Sequence, residues 1–212
     1  MKEMMKTTHI LFVAIAGMAL VSTLMADSAP PLKADILSNI TNFDIQTNQW
    51  TISEGVLSKN SPLYHGDKLM VVKENIVKVS GWYSLRCDLV NIRKQNGKRP
   101  SAGLIFGFVD NENYWSVKTG TELSKSVLVL SQTKDGKAVF STSTPVAFSA
   151  DDKQINLRIE VNHQQWIKVY VNKAQILTHR TSGGITAGRV GLSLQSGFCG
   201  FSNVSIAGMA KR

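Results

Sequence analysis

Apolar and polar residues alternate along much of the chain. Ile155, Leu157, Ile159 and Val161 are interleaved with Asn156, Arg158, Glu160 and Asn162. Ile167, Val169 and Val171 alternate with Trp166, Lys168 and Tyr170, and Tyr83, Leu85, Cys87 and Leu89 with Ser84, Arg86 and Asp88. A period of two sends successive side chains to opposite faces, so these segments predict half-buried strands. Residues 103–109 are apolar at nearly every position and predict a central strand covered on both faces. Further strands are expected near 50–58, 68–72, 76–80, 113–118, 127–132, 138–141, 174–179, 188–194 and 200–207.

Turn-forming pairs punctuate these runs: Glu54-Gly55, Asn96-Gly97, Asp110-Asn111, Asp135-Gly136, Asn172-Lys173 and Ser182-Gly183-Gly184. No segment beyond residue 26 sustains a helical period. Many short strands joined by such turns imply an all-β sandwich or barrel. No linker or repeat interrupts 35–208, which reads as one domain, followed by a short tail, 209–212. Residues 27–34, with Pro30-Pro31, read as an extended leader.

The first 26 residues have the pattern of a secretory signal. Lys2 and Lys6 precede an apolar run from Ile10 to Val21, and Ala26 is a small residue suited to cleavage. The run is shorter than the about 20 residues of a membrane span. An uncleaved anchor is the alternative, because Leu24 is larger than the usual residue two before a cleavage point. Export to the periplasm or the cell exterior is expected, with no stable membrane span after cleavage.

A chain of 212 residues that is 43% hydrophobic and 18% charged can build one sizeable core. No glycine-rich phosphate loop supports a nucleotide-binding enzyme. The net charge of +9 suits a partner such as an anionic cell-envelope polymer or acidic polysaccharide, or simply aids solubility. Arg93, Lys94, Lys98 and Arg99 cluster around Gln95-Asn96-Gly97, which reads as a hairpin tip whose cations project into water. Nucleic acid is not expected, since the cations do not interleave with stacking aromatics. Export would allow Cys87 and Cys199 to pair as a disulfide; two separate buried thiols are the alternative.

Several segments in order resemble the concanavalin A-like lectin/glucanase superfamily. They are Trp50–Leu57, Tyr83–Leu89, Ala102–Asp110 with Asn113–Val117, Ile167–Asn172, Gly188–Leu192 and Phe201–Ile206. The order is similar to laminin-G-like modules and to the 3-keto-disaccharide hydrolase-like family of exported bacterial proteins. The resemblance implies a jelly-roll β-sandwich of two curved antiparallel sheets, with first and last strands close together and glycans on the concave sheet or its rim loops. It also implies a possible structural calcium, for which Glu54 and Asn203 are the candidates, although Ser202-Asn203 stands where related chains place an Asp. Fold alone does not establish an activity.

A retaining glycosidase needs two carboxylates about 5–5.5 Å apart. The Glu-x-Asp-x-x-Glu strand motif of the related glucanases is absent. Asp88 and Glu160 are the acid–base candidates, each alone on its strand. Asp110 with Glu112, and Asp151-Asp152, read as turn carboxylates. His65, His163 and His179 lack metal-ligand spacing and read as surface or turn residues. No Gly-x-Ser-x-Gly elbow is present.

Sugar binding needs an aromatic face for C–H groups and planar polar groups for hydroxyls. Trp166, Lys168 and Tyr170 stand opposite an aliphatic row, with Arg86 and Trp82 on a neighbouring strand as further candidates. Packing in the core is the competing reading, and it is the one expected for Tyr114 and Trp115. These features point to an exported glycan-binding or cell-envelope interaction module without catalysis. The alternatives are a glycoside hydrolase acting on a disaccharide or oligosaccharide, and a structural protein–protein interaction domain.

Overall fold

The computed structural model describes residues 31–32, 40–45, 50–59, 68–74, 76, 79–93, 98–123, 125–148, 153–182 and 187–210. Residues 1–26, read above as a signal, the aspartates 151–152, His65 and residues 94–97 lie outside them. Fifteen strands follow one another: β1 (Pro31–Leu32), β2 (Phe43–Ile45), β3 (Trp50–Ser53), β4 (Val56–Lys59), β5 (Lys68–Val72), β6 (Val79–Arg93), β7 (Ser101–Asp110), β8 (Asn113–Glu122), β9 (Lys125–Lys134), β10 (Lys137–Pro145), β11 (Gln154–Val161), β12 (Trp166–Val171), β13 (Ala174–Arg180), β14 (Ala187–Ser196) and β15 (Phe198–Ala210). A single 3-10 turn, Ile40–Asn42, precedes β2. Among the described residues, no helix is long and apolar enough to cross a membrane.

The strands form two antiparallel layers. The first sheet runs β3-β4-β15-β6-β11-β12-β13, with β1 pairing the far end of β15; the second runs β10-β9-β8-β7-β14-β5-β2. β14 links them, because Ala187 and Gly188 pair with β6 before the rest of the strand joins β5 and β7. First and last strands do meet: Pro31 and Leu32 pair with Ala207 and Ile206.

Local sequence dictates the tight hairpins. Glu54 and Gly55, Asp135 and Gly136, and Asn172 and Lys173 have positive φ at both turn positions. That is the two-residue hairpin geometry whose twist matches the flanking strands. At the β7–β8 hairpin the Asp110 carboxylate accepts the Glu112 N–H at 2.8 Å and the Asn113 amide at 2.9 Å. Both bonds favour the ionised form and hold this exposed carboxyl below its ordinary range.

The core lies between the layers. Leu85, Cys87, Leu157, Ile159, Ile167, Val169 and Phe201 face Met70, Leu104, Phe106, Val117, Leu130 and Leu192, all buried. The alternating positions of β11 and β12 therefore pack as their period predicts. β7 is buried on both faces over residues 102–106, as its sequence predicts, and opens towards the turn, where Val109 is 68% exposed. Its inward Leu104 and Phe106 join the main core, whereas Ile105 and Phe108 join a second cluster with Leu69, Val71 and Tyr114 on the outer face of the second sheet.

Four expectations are corrected. β6 and β7 belong to different sheets and are not paired with each other, so they are not the two arms of a hairpin. Arg99, expected in water, is buried, with its guanidinium 5.1 Å from the centre of the Phe148 ring. His179 is half-buried and not a free surface residue: it stacks 4.2 Å from Phe140, centre to centre, and 5.8 Å from Trp115, at the edge between β13 and β10. Cys87 and Cys199 are free buried thiols. The register explains this. Phe201 lies opposite Leu89, two residues beyond Cys87, and Cys199 lies two residues further in the same direction. Cys199 is thus not the cross-strand partner of Cys87, whose partner on β11 is Leu157 and whose position on β15 falls between Ser202 and Ser205.

Candidate functional site

The sequence-predicted sugar-binding residues share one surface, the outer face of the first sheet. Arg86 pairs across β11 with Arg158, which pairs with Tyr170; Ser84, Glu160 and Lys168 form the next row. Trp166 pairs with Arg180 on β13, and Trp82 lies on the same face of β6 as Ser84 and Arg86. The two aromatics of β12 are already engaged by neighbouring side chains. Tyr170 donates its hydroxyl to Glu160 at 2.8 Å, and Arg158 lies 4.0 Å over the Tyr170 ring and 3.2 Å from Glu160 Oε1. Arg180 lies 5.8 Å from the centre of the Trp166 ring.

Asp88 is buried on this same face, where it accepts amide hydrogens from Gln154 at 3.0 Å, Asn203 at 2.7 Å, and Asn156. Arg86 lies 3.8 Å away. Its acceptor sites are occupied, so it reads as a structural hub. Glu160 is paired with Ser84, four residues along β6 from Asp88. That offset is roughly 13 Å of strand, wider than the about 5–9.5 Å of either glycosidase geometry. Asn203, a calcium candidate, donates its Nδ2 hydrogen to Asp88 Oδ2, and Glu54 stands exposed in the β3–β4 turn. Two such groups fall short of the six to eight oxygens calcium takes. Among the described residues no three His, Cys, Asp or Glu side chains converge as a metal site.

The outer face of the second sheet offers a recess. A cavity of about 380 Å³ is lined by Phe43, Asp44, Leu69, Val71, Lys73, Phe108, Asn111 and Arg189. β2 supplies Asp44, β5 the aliphatic floor, β7 Phe108, and β14 Arg189. The register explains the convergence, since Arg189 lies opposite Phe108 and Asp44 opposite Val71. Arg189 forms an ion pair with Asp44 and lies 4.9 Å over the Phe108 ring. Phe108 stacks in turn on Tyr114, 6.2 Å between centres. A guanidinium held by both a carboxylate and a ring is fixed in orientation, and its planar fork suits hydroxyl or carboxylate oxygens. Further along the same face of β14, Ser193 is buried with no hydrogen-bond partner for its hydroxyl among the described residues.

Sequence reading missed this recess. Its parts come from four strands, and Arg189 and Asp44 are 145 positions apart. The one legible signal was the two-sided apolarity of 103–109, which marked an outer as well as an inner apolar surface.

No protein-family model and no curated protein matches the chain. Solved structures do. The chain is similar to the carbohydrate binding module CBM66 from Bacillus subtilis, with 17% identity and a TM-score of 0.61 over 78% of this chain and 95% of that one. A legume lectin-like domain from Entamoeba histolytica matches at 15% identity and TM-score 0.58, over 80% of this chain and 91% of the other. The carbohydrate recognition domain of Emp47p matches at 13% and 0.56, over 79% and 89%. The strand order, the two antiparallel layers and these likenesses together give the chain the fold of the concanavalin A-like lectins and glucanases.

Proposed function

We propose that the protein is an exported glycan-binding module without catalytic activity, and that it holds a saccharide in the recess of the second sheet. One observation carries the reading: Asp44 fixes Arg189 over Phe108 at the edge of an aliphatic floor, with Lys73 and Asn111 beside it. An apolar ring and floor accept the C–H faces of a sugar, while the guanidinium, amide and ammonium groups meet its hydroxyls. The structural neighbours include a carbohydrate binding module and a carbohydrate recognition domain, which supports the ligand class. The basic start and apolar run of the first 26 residues support export. Asp44 is the only carboxylate among the described lining residues, which supports binding without glycosidic cleavage.

A neutral glycan array followed by calorimetry tests the reading. Binding of at least one oligosaccharide that is lost in both Arg189→Ala and Phe108→Ala supports it. Binding that survives both substitutions, or no binding across the array, overturns it.

A further inference from the structure

We propose a second binding site, at the β11–β12 end of the first sheet, that takes an acidic group of a polysaccharide. A concavity of about 570 Å³ is lined there by His163, Gln164, Gln165, Arg180, Thr181 and Ser182. These residues offer a guanidinium, an imidazole, two amides and the exposed Ser182 hydroxyl, with no carboxylate among them. It lies on the opposite layer from the Arg189 recess and shares no residue with it.

The framework is fixed by hydrogen bonds. Asn162 Oδ1 accepts the N–H groups of Gln164 and Trp166, both at 3.0 Å, and the Asn162 N–H donates to the Trp166 carbonyl at 3.1 Å. The Gln165 N–H donates to the Asn162 carbonyl, and the Thr181 N–H to the Gln165 carbonyl, each at 3.0 Å. The last bond ties the β11–β12 turn to the end of β13. Gly81 sets the position of His163: with φ of +73° and no Cβ, it lets the ring lie against it, and a Cβ there would come within 2.7 Å of His163 Cε1.

Charge accounting on this face selects the ligand. Asp88 is occupied by three amides, and Glu160 by Arg158 and Tyr170. Arg180 and Lys168 have no carboxylate partner among the described residues. Lys168 pairs with Thr178, two residues from Arg180 on β13, so the two cations are diagonal neighbours about 7–8 Å apart in backbone position. Arg180, exposed over Trp166, presents a fork suited to a carboxylate or sulfate. The Gln164 and Gln165 amides and the Ser182 hydroxyl around it suit sugar hydroxyls. A sugar chain bearing anions meets all of these groups.

Binding of the full chain to alginate, dextran sulfate and neutral dextran tests the proposal, with circular dichroism confirming the fold of each variant. Alginate or dextran sulfate should bind and neutral dextran should not; which of the two binds identifies the anion as carboxylate or sulfate. Arg180→Gln should weaken that binding about tenfold, and Gln164→Ala by a smaller factor. Arg189→Ala should leave it unchanged, so this site stands or falls separately from the recess. Three results would overturn the proposal: neither anionic polysaccharide binds; affinity is unchanged in both Arg180→Gln and Gln164→Ala; or a single-stranded oligonucleotide binds equally and loses as much in Arg180→Gln.

Discussion

Arg158 covers one face of the Tyr170 ring at 4.0 Å, and the Tyr170 hydroxyl is donated to the same Glu160 carboxylate that Arg158 pairs with. The three side chains form a closed triangle on adjacent strands. An aromatic held this way acts as a brace between β11 and β12 and cannot offer that face to a sugar. Burial, then the Glu160 bond, raise the Tyr170 phenol above its usual range, so it remains a donor throughout the neutral range. Tyr170→Phe deletes that bond and should cost about 1 kcal/mol in urea denaturation, discounted for the partial exposure of the triangle. The affinity of the Arg189 recess for its saccharide should not change. A large loss of saccharide affinity in Tyr170→Phe would place the glycan on the first sheet instead.

Asp88 carries more. It is 1% exposed, yet it lies on the outer face of its sheet, sealed by Gln154, Asn156 and Asn203. Asn203 comes from a left-handed position in β15, φ 50°, where the pairing with β6 shifts register between Ser202 and Ser205. The carboxylate thus joins β6 to both of its neighbours. Asp88→Ala leaves three amides without their acceptor and should destabilise the fold by about 3 kcal/mol, as read from the denaturant midpoint at constant slope. Asp88→Asn should be destabilising too, since its own N–H₂ meets donors. A midpoint unchanged in Asp88→Ala would show that water replaces the carboxylate without cost.

Strand positions and the identity of the sheet-forming faces were legible because each is written in a local period. The turns at residues 54–55, 135–136 and 172–173 were legible because positive φ favours Gly and Asn there. Partnership across sheets was not. Gln95-Asn96-Gly97 reads as a hairpin tip on local grounds, but β7 pairs with β8 and β14, so its neighbours are decided by distant strands. The recess was illegible for the same reason: Asp44, Phe108 and Arg189 meet only through the β2-β5-β14-β7 order. Trp166 and Tyr170 were correctly placed outside the aliphatic row, but period two could not reveal that arginines stack on them.

The two cysteines yield a redox prediction. Burial pushes the Cys199 thiol up to about 12 and also holds the Cys87 thiol well above its usual value, with the nearby Cys199 and Asp88 charges adding to the latter. A buried thiol with so little thiolate is a poor nucleophile. The native protein should therefore react with a water-soluble thiol reagent only on unfolding, and then at both sulfurs. Reducing agent should leave the melting temperature unchanged. Fewer than two thiols titrated in denaturant, or a melting point lowered by reductant, would establish a bridge and require the β6–β15 register to differ.

His179 gives the fold a dependence on mild acid. It is sandwiched against Phe140 and Trp115 at the open edge between β13 and β10, and no carboxylate among the described residues pairs with it. Desolvation lowers its pKa beneath the ordinary 6.5. In the unfolded chain the ring takes a proton near that ordinary value, so between the two values the unfolded state binds more protons than the folded one. Stability is accordingly full above about pH 6.5 and declines as the pH falls below it. Asp110, whose folded pKa is also depressed, acts in a separate window: its contribution is present above its ordinary 3.8 and is lost only below it. Urea midpoints measured from pH 8 to pH 3 should fall below pH 6.5 in the native sequence. His179→Phe keeps an aromatic ring against Phe140 and should flatten that fall while leaving any loss below pH 3.8 intact. An identical slope in His179→Phe would mean that the acid sensitivity arises elsewhere, and that the ring accepts its proton by swinging out of the sandwich edge at little cost.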